Sequence, residues 1–237
     1  MANQAKISAM TCQEELEDNI DKVLGVLKDT MLHDISFDVA RKLVYWLNDW
    51  AGKYLPNERS FNYESLIYYE RGNVLKAELG FKIGSEDGGL HYCLVVENNN
   101  AKTNRTIMVV PLTSLDDDKS EEDIDPNNGV FLGRGIFKSE IEDYQKLIAK
   151  TKEQIVVLTN QGKDTTILEK KLKRDERELR NLNKGSVAKI NQLCALSKMR
   201  IVFPKSLSDR FAGFKLAPEK LNEIDDKIRR LYLRQEK

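Results

Sequence analysis

The glycine-rich loop at residues 84–92 is the segment whose residue types point most directly to chemistry. It reads Gly-Ser-Glu-Asp-Gly-Gly-Leu-His-Tyr and lies between two strand-like apolar runs. Its three glycines permit backbone conformations closed to other residues and let the chain approach a ligand closely. His91 stands at the far end of the loop, and a histidine can accept or donate a proton at neutral pH. The loop predicts a ligand-binding turn with a proton-transfer group; a plain hairpin loop with a structural histidine is the alternative.

Short apolar runs rich in β-branched residues surround this loop and predict the strands that position it. The runs cover residues 74–81, 92–96, 106–112 and 130–137 and, after a long interruption, 187–196 and 200–203. No helix follows the loop, and the GxxxxGK[ST] spacing is absent, so a nucleotide-binding phosphate loop is excluded. We expect a small antiparallel β-domain.

Helical periodicity precedes, interrupts and follows these strands. Apolar residues at three- and four-residue spacing predict helices at 14–31 and 37–55, with Pro56 just beyond the second helix. Two heptad series within residues 138–185 predict an antiparallel coiled-coil hairpin, which is inserted into the β-domain. A last helix is predicted at 218–233.

These elements predict an α+β protein of two parts. Residues 1–70 form an N-terminal helical extension, and residues 71–237 form a β-domain interrupted by the hairpin. The 237 residues are 41% apolar and 32% charged, a composition that excludes disordered, collagen-like and disulfide-scaffold proteins.

The charge of the chain is zero in total but uneven along its length. Four successive segments, 1–70, 71–137, 138–185 and 186–237, carry net charges of −5, −4, +3 and +6. A basic second half can hold a polyanion while the molecule stays neutral. Ordinary solvated helix faces are the alternative, since exposed helices are usually charged.

Cysteine and histidine usage argues against a metal site. Cys12, Cys93 and Cys194 form no CxxC pair, and His33 and His91 are the only histidines. No apolar run approaches the ~20 residues of a membrane span, and the N-terminus has no signal-peptide pattern. We expect a cytoplasmic protein that needs neither metal nor cofactor and does not contact a membrane.

Four segments, in order and spacing, resemble the MazF/PemK family of toxin endoribonucleases. They are Arg71-Gly72-Asn73-Val74, the stretch 84–96, Val-Val-Pro-Leu-Thr-Ser at 109–114, and 186–201. The resemblance implies a small SH3-like antiparallel β-barrel, usually a homodimer. It further implies metal-independent cleavage of single-stranded messenger RNA, in a toxin-antitoxin or phage-defence system with a cognate antitoxin protein.

The resemblance also implies roles for individual residues. The loop arginine of the family falls on His91, expected as general base or acid, and its catalytic threonine falls on Thr113, with Ser114 beside it. The two hydroxyls are expected to donate to phosphate, and Lys189 is expected to supply positive charge in the transition state. Substrate contacts are expected from Ser85, Glu86, Gly88, Gly89, Asn191, Lys198 and Arg200.

Three departures from the family pattern keep other hypotheses open. His91 stands where the family has arginine, Asn191 where it has aspartate, and Cys194 where it has arginine. The first hypothesis is an active endoribonuclease. The second is a MazF-like barrel without catalysis that binds RNA or a protein, and the third is a structural protein organised by the hairpin.

Overall fold

The computed structural model describes Ile7 and residues 9–234, and the chain divides into two compact units. The first unit ends at Glu58, and the second begins at Arg59. The boundary therefore precedes the one predicted at residue 70. Residues 59–70 join the second unit because Leu66 and Tyr69 are buried in its core, where the Tyr69 hydroxyl donates to the Pro204 carbonyl at 2.6 Å.

The first unit consists of helices α1 (Gln13–Asp29), α2 (Phe37–Asp49) and α3 (Leu55–Asn57). Wider π-helical turns, Thr30–Asp34 and Trp50–Tyr54, follow α1 and α2. The two predicted helices are confirmed, but Pro56 lies within α3 rather than beyond the helical segment. Proline is compatible with this position because the first residues of a helix need no N–H donor.

Apolar side chains of the first unit are largely exposed. In the described part of this unit, Asn19, Ala40 and Tyr54 are the buried residues. Leu24 on α1 and Phe37 on α2 remain 55% and 80% exposed. Within this unit the two helices therefore enclose almost no core of their own.

Seven antiparallel strands form the sheet of the second unit. They are β1 (Val74–Glu78), β2 (Leu90–Val95), β3 (Thr106–Leu115), β4 (Gly129–Arg134), β5 (Gly185–Lys189), β6 (Cys194–Ser197) and β7 (Ile201–Phe203). The order is β4-β5-β3-β2-β1-β7, and β6 also pairs with β3. The long strand β3 thus pairs with β6, β2 and β5 along its length. The predicted α+β fold with a small, barrel-like antiparallel sheet is confirmed, and the sheet is not closed.

Three helices complete the second unit. Helices α4 (Lys138–Asn160) and α5 (Thr166–Asn183) form the predicted hairpin inserted between β4 and β5. Helix α6 (Pro218–Tyr232) follows the sheet, as predicted. The late strands are shorter than predicted, because 3-10 turns at Ile190–Gln192 and Lys198–Arg200 break the run into β5, β6 and β7. No helix in the described residues is both long and apolar enough to cross a membrane.

Alternate residues of the central strands point into two apolar clusters. The first cluster contains Leu94 and Val110, and it extends to the hairpin through Tyr144 and Leu182. The second cluster contains Cys93, Val95 and Val109, and it extends to Leu66 and Tyr69. Since neighbours along a strand face opposite sides of a sheet, each strand of the centre is buried on both faces.

Replacing Glu140 of α4 by glutamine is expected to stabilise the second unit at neutral pH. Burial raises the pKa of this carboxyl, so the folded state holds its proton more tightly than the unfolded chain does. Stability therefore falls as pH rises from the ordinary carboxyl pKa through the raised one. We expect Glu140→Gln to raise the urea midpoint at about pH 7 and to lose this advantage near about pH 3. Glu142→Gln on the exposed side of α4 is the control. Equal midpoints for wild type and Glu140→Gln at neutral pH would contradict the prediction.

Candidate active site

The glycine-rich loop is closed at its base by backbone hydrogen bonds between its two ends. The Leu79 N–H donates to the Gly89 carbonyl at 2.7 Å, and the Gly89 N–H donates to the Gly80 carbonyl at 2.8 Å. A Cβ at residue 88 would lie 2.6 Å from the Gly80 carbonyl oxygen, which no side chain tolerates. Gly88 is therefore required for the loop to fold back on itself.

Asp87 ties the loop to the segment after β5. The Lys189 ammonium donates to Asp87 Oδ1 at 2.6 Å, and the Asp87 N–H donates to Gln192 Oε1 at 3.0 Å. The Gln192 amide in turn donates to the Ser85 carbonyl at 3.2 Å. The other carboxylate oxygen of Asp87 is buried, and among the described residues it has no hydrogen-bond partner.

His91 on β2 lies close to the part of β3 that carries Thr113. Strands β2 and β3 pair with Cys93 opposite Pro111 and Leu94 opposite Val110. The His91 Nδ1 lies 3.4 Å from the carbonyl oxygen of Leu112, the residue before Thr113. The imidazole is therefore within one residue of Thr113 along β3.

A cavity of about 340 Å³ adjoins this pair. Thr113 and Ser114 line one wall, and the pairing of Leu112 with Ala188 brings Lys189 and Asn191 to the same wall. Lys119, Asp123, Asp125 and Asn128 are also among its lining residues. Hydrogen bonds from the Asn127 N–H and the Asn128 side chain lower the pKa of Asp125, which is therefore ionised. His91 lies beside the cavity rather than in its lining.

The remaining predicted contacts separate into two groups. Ser85, Glu86, Gly88 and Gly89 all lie on the loop, and Ser85 and Glu86 are exposed. Arg200 lies at the base of the loop, because its Nε donates at 2.7 Å to the carbonyl of Glu78, the partner of Leu90.

Lys198 does not join this group, which corrects the prediction of a substrate contact there. Its side chain is buried, and its ammonium donates to the Ala101 carbonyl at 2.8 Å. Burial also lowers its pKa. The ammonium therefore stabilises the turn before β3 instead of facing a ligand.

Asp87 and Gln192 are the residues of the site that the sequence analysis missed. Asp87 lies 102 positions before its partner Lys189, and no local spacing relates them. The only sequence signal for Asp87 is its position between Glu86 and Gly88, which are both predicted to contact the substrate. The ion pair uses one of the three ammonium N–H groups of Lys189 and leaves the other two for a ligand.

The arrangement supplies groups that can transfer a proton and groups that can stabilise an anion. Thr113, Ser114 and Lys189 line the cavity, and the His91 imidazole lies against the Leu112 carbonyl next to Thr113. Within the described residues, no group of three or more histidine, cysteine, aspartate or glutamate side chains is placed to hold a metal ion. Hydroxyl and ammonium donors of this kind stabilise negative charge that develops on phosphate oxygens.

Part of the chain matches a known protein family. Residues 70–132 match the family described as the PemK-like, MazF-like toxin of type II toxin-antitoxin systems. The match includes the loop, His91, Thr113 and Ser114, and it ends before the hairpin and Lys189. No curated protein matches the chain. The segment that carries the loop, His91 and Thr113 thus matches the PemK-like, MazF-like toxin family, as the sequence resemblance predicted.

Proposed function

We propose that this protein is a metal-independent endoribonuclease that cuts single-stranded RNA as the toxin of a toxin-antitoxin or phage-defence system. The observation that carries the proposal is the position of the His91 ring, one residue from Thr113 and beside the cavity that Thr113, Ser114 and Lys189 line. The family of residues 70–132 supports the same conclusion. With this function we infer three partners: messenger RNA in the cytoplasm, a cognate antitoxin and a second copy of the chain.

The reaction that suits these groups is attack of a ribose 2′-oxygen on the adjacent phosphorus. The new O–P bond forms as the bond to the 5′-oxygen breaks, which leaves a 2′,3′-cyclic phosphate and a 5′-hydroxyl. His91 performs one of the two proton transfers, either from the 2′-hydroxyl or to the leaving 5′-oxygen. Thr113, Ser114 and Lys189 donate to the phosphate oxygens as charge accumulates there. A single strand suits the site because its backbone can bend until the attack is in line.

The loop and the late strand would hold the rest of the substrate. Ser85 and Glu86 are exposed at the loop, and no atom lies within 4 Å of the place where Gly89 would carry a Cβ, which leaves room for a nucleotide there. Gly88 would shape the loop around that space, since its own Cβ position is filled by the Gly80 carbonyl. Asn191 lines the cavity and offers both a donor and an acceptor to a base. Asp123 and Asp125 repel phosphate from the far wall, so the backbone is expected to follow the Thr113 side.

One observation favours a second function, that of an inactive barrel that binds RNA or a protein. The Lys189 ammonium already pairs with Asp87 at 2.6 Å, which neutralises part of the positive charge proposed for the transition state. Asn191 and Cys194 also replace residues that are charged in the family pattern. A binding module would keep the loop geometry but would leave the RNA chain intact.

Incubation of the purified protein with single-stranded RNA in the presence of a chelator distinguishes the two functions. The endoribonuclease produces fragments that end in a 2′,3′-cyclic phosphate and begin with a 5′-hydroxyl. The binding module retards the RNA on a gel without cutting it. A protein that neither cuts nor retards the RNA would contradict both the endoribonuclease and the RNA-binding module. Cleavage that requires an added divalent metal would contradict the mechanism.

A further inference from the structure

Helix α5 sorts its mixed charges onto two faces. Three of its four acidic residues point inward or toward α4. Glu178 pairs with the buried Lys76 at 2.7 Å and accepts from the Tyr92 hydroxyl at 3.1 Å. Glu176 pairs with Lys152 of α4 at 2.9 Å, and Asp175 is buried. In the sequence, acidic and basic residues are interspersed along α5. In the structure, most of the acidic side chains lie away from its outer surface.

The outward face of α5 is left with a line of cations, which we call the basic stripe. It consists of Lys170, Lys173, Arg174, Arg177 and Arg180, all of them exposed. At 3.6 residues per turn these positions fall within about one third of the helix circumference, and they span about 15 Å along its axis. Arg174 approaches Asp175 at 3.6 Å. Among the described residues, the other four have no carboxylate at ion-pair distance.

Such a stripe is unfavourable for an isolated helix. Like charges three and four positions apart repel each other, and an ordinary solvated helix relieves this with interspersed acidic residues. Here Asp175, Glu176 and Glu178 are buried or have other partners, and Glu169, which accepts from the Thr165 hydroxyl at 2.7 Å, is the acidic residue of α5 that stays exposed near the stripe. Most of the repulsion therefore persists until a polyanion neutralises it. Because α5 lies outside residues 70–132, the stripe is an addition to the segment that matches the toxin family.

We propose that the basic stripe binds the phosphate backbone of the RNA substrate at a second surface, away from the point of cleavage. This inference rests on the proposed function, since it names a further contact for the same substrate. Between Lys170 and Arg180 the structure exposes no large apolar side chain, whereas protein interfaces have an apolar or aromatic centre. A regular row of cations without such a centre fits a sugar-phosphate chain better than an acidic protein.

The stripe and the candidate active site occupy opposite sides of β2. The inner face of α5 contacts Tyr92, which packs with the first apolar cluster, whereas His91 lies on the side of Cys93 and the second cluster. An RNA chain that reaches both must therefore pass an edge of the sheet. The stripe is expected to add affinity for long RNA and to add little for an oligonucleotide that fills only the cavity.

The test is the salt dependence of binding, measured on the full chain with a long single-stranded RNA that is 2′-O-methylated throughout. This RNA has no free 2′-hydroxyl and cannot be cut by the proposed reaction, so binding is measured apart from cleavage. For Lys170→Gln/Lys173→Gln/Arg177→Gln we expect the slope of log affinity against log salt to fall by roughly 2, because each phosphate contact on a single strand contributes about 0.7. With a slope that is smaller by about 2, a tenfold dilution of salt strengthens RNA binding by the variant about 100-fold less than binding by the wild type.

Two controls separate the stripe from a general charge effect. Lys28→Gln/Lys42→Gln/Lys53→Gln removes the same charge from exposed positions of the first unit and should keep the wild-type slope. Lys170→Arg/Lys173→Arg keeps the charge of the stripe and should also keep the slope.

An unchanged slope in the glutamine variant of the stripe would overturn the proposal, and so would equal losses in the two glutamine variants. If the partner of the stripe is an acidic protein instead of RNA, the glutamine variant of the stripe will show an unchanged slope. Failure to cut unmodified RNA would overturn the proposed function instead, and it would leave the binding result intact.

Discussion

His91→Ala is expected to lower the rate of RNA cleavage by a factor of at least about 100, the usual contribution of a general acid or base. Alanine removes the imidazole that lies against the Leu112 carbonyl, next to Thr113. The measurement is single-turnover cleavage of a defined RNA. In cells, expression of the variant should no longer inhibit growth, whereas expression of the wild type should.

His33→Ala is the matched control for this prediction. His33 is the other histidine of the chain, and it lies in the π-helical turn of the first unit. Its removal should leave cleavage at the wild-type rate. Equal activity of wild type and His91→Ala would exclude the imidazole from the reaction. Another group would then have to perform the proton transfer.

Glu178→Ala is expected to destabilise the second unit by about 3–5 kcal/mol, the typical cost of leaving a buried charge without its partner. The Lys76 ammonium lies 2.7 Å from Glu178 and 4.8 Å from the centre of the Tyr92 ring, and both charged side chains are largely buried. Loss of the carboxylate would strand this ammonium between the sheet and the hairpin. Urea unfolding followed by circular dichroism measures the loss.

A second ion pair of the same hairpin supplies the control. Glu176 pairs with Lys152 at 2.9 Å, but the lysine side chain is 56% exposed, so Glu176→Ala should cost less than about 1 kcal/mol. Lys76→Met/Glu178→Leu, which removes both buried charges, should recover most of the stability lost in Glu178→Ala. Equal losses in Glu176→Ala and Glu178→Ala would show that the Lys76 pair does not join the hairpin to the sheet.

Elements with a strong local period could be predicted from the sequence. Helices α4 and α5 appear where the heptad residues of 138–185 placed them, and β2 and β3 appear where short β-branched runs lie between turns. The segment 59–70 could not be assigned to the second unit from the sequence, because its burial depends on a hydrogen bond from Tyr69 to the Pro204 carbonyl, 135 positions away. The breaks between β5, β6 and β7 likewise follow from tertiary pairing with β3 and β1 rather than from local residue preference.

The candidate site shows the same division. The loop glycines and His91 could be picked out by residue type, and the pairing of β2 with β3 then brings the His91 ring to the Leu112 carbonyl, next to Thr113. The contrast between Lys189 and Lys198 could not be predicted, since both are lysines on the same late segment. One faces the cavity and pairs with Asp87, whereas the other is buried against Ala101, and only the paths of two distant loops decide this.

The most direct test of the account is the structure of the protein with an RNA that carries a 2′-deoxy sugar at the cleaved linkage. We expect a ring nitrogen of His91 and the hydroxyl of Thr113 both to lie within about 3.5 Å of that one sugar-phosphate linkage. Lys189 should donate to the same phosphate. A linkage bound elsewhere, or a His91 ring that contacts only the Leu112 carbonyl while the phosphate lies out of its reach, would contradict the account.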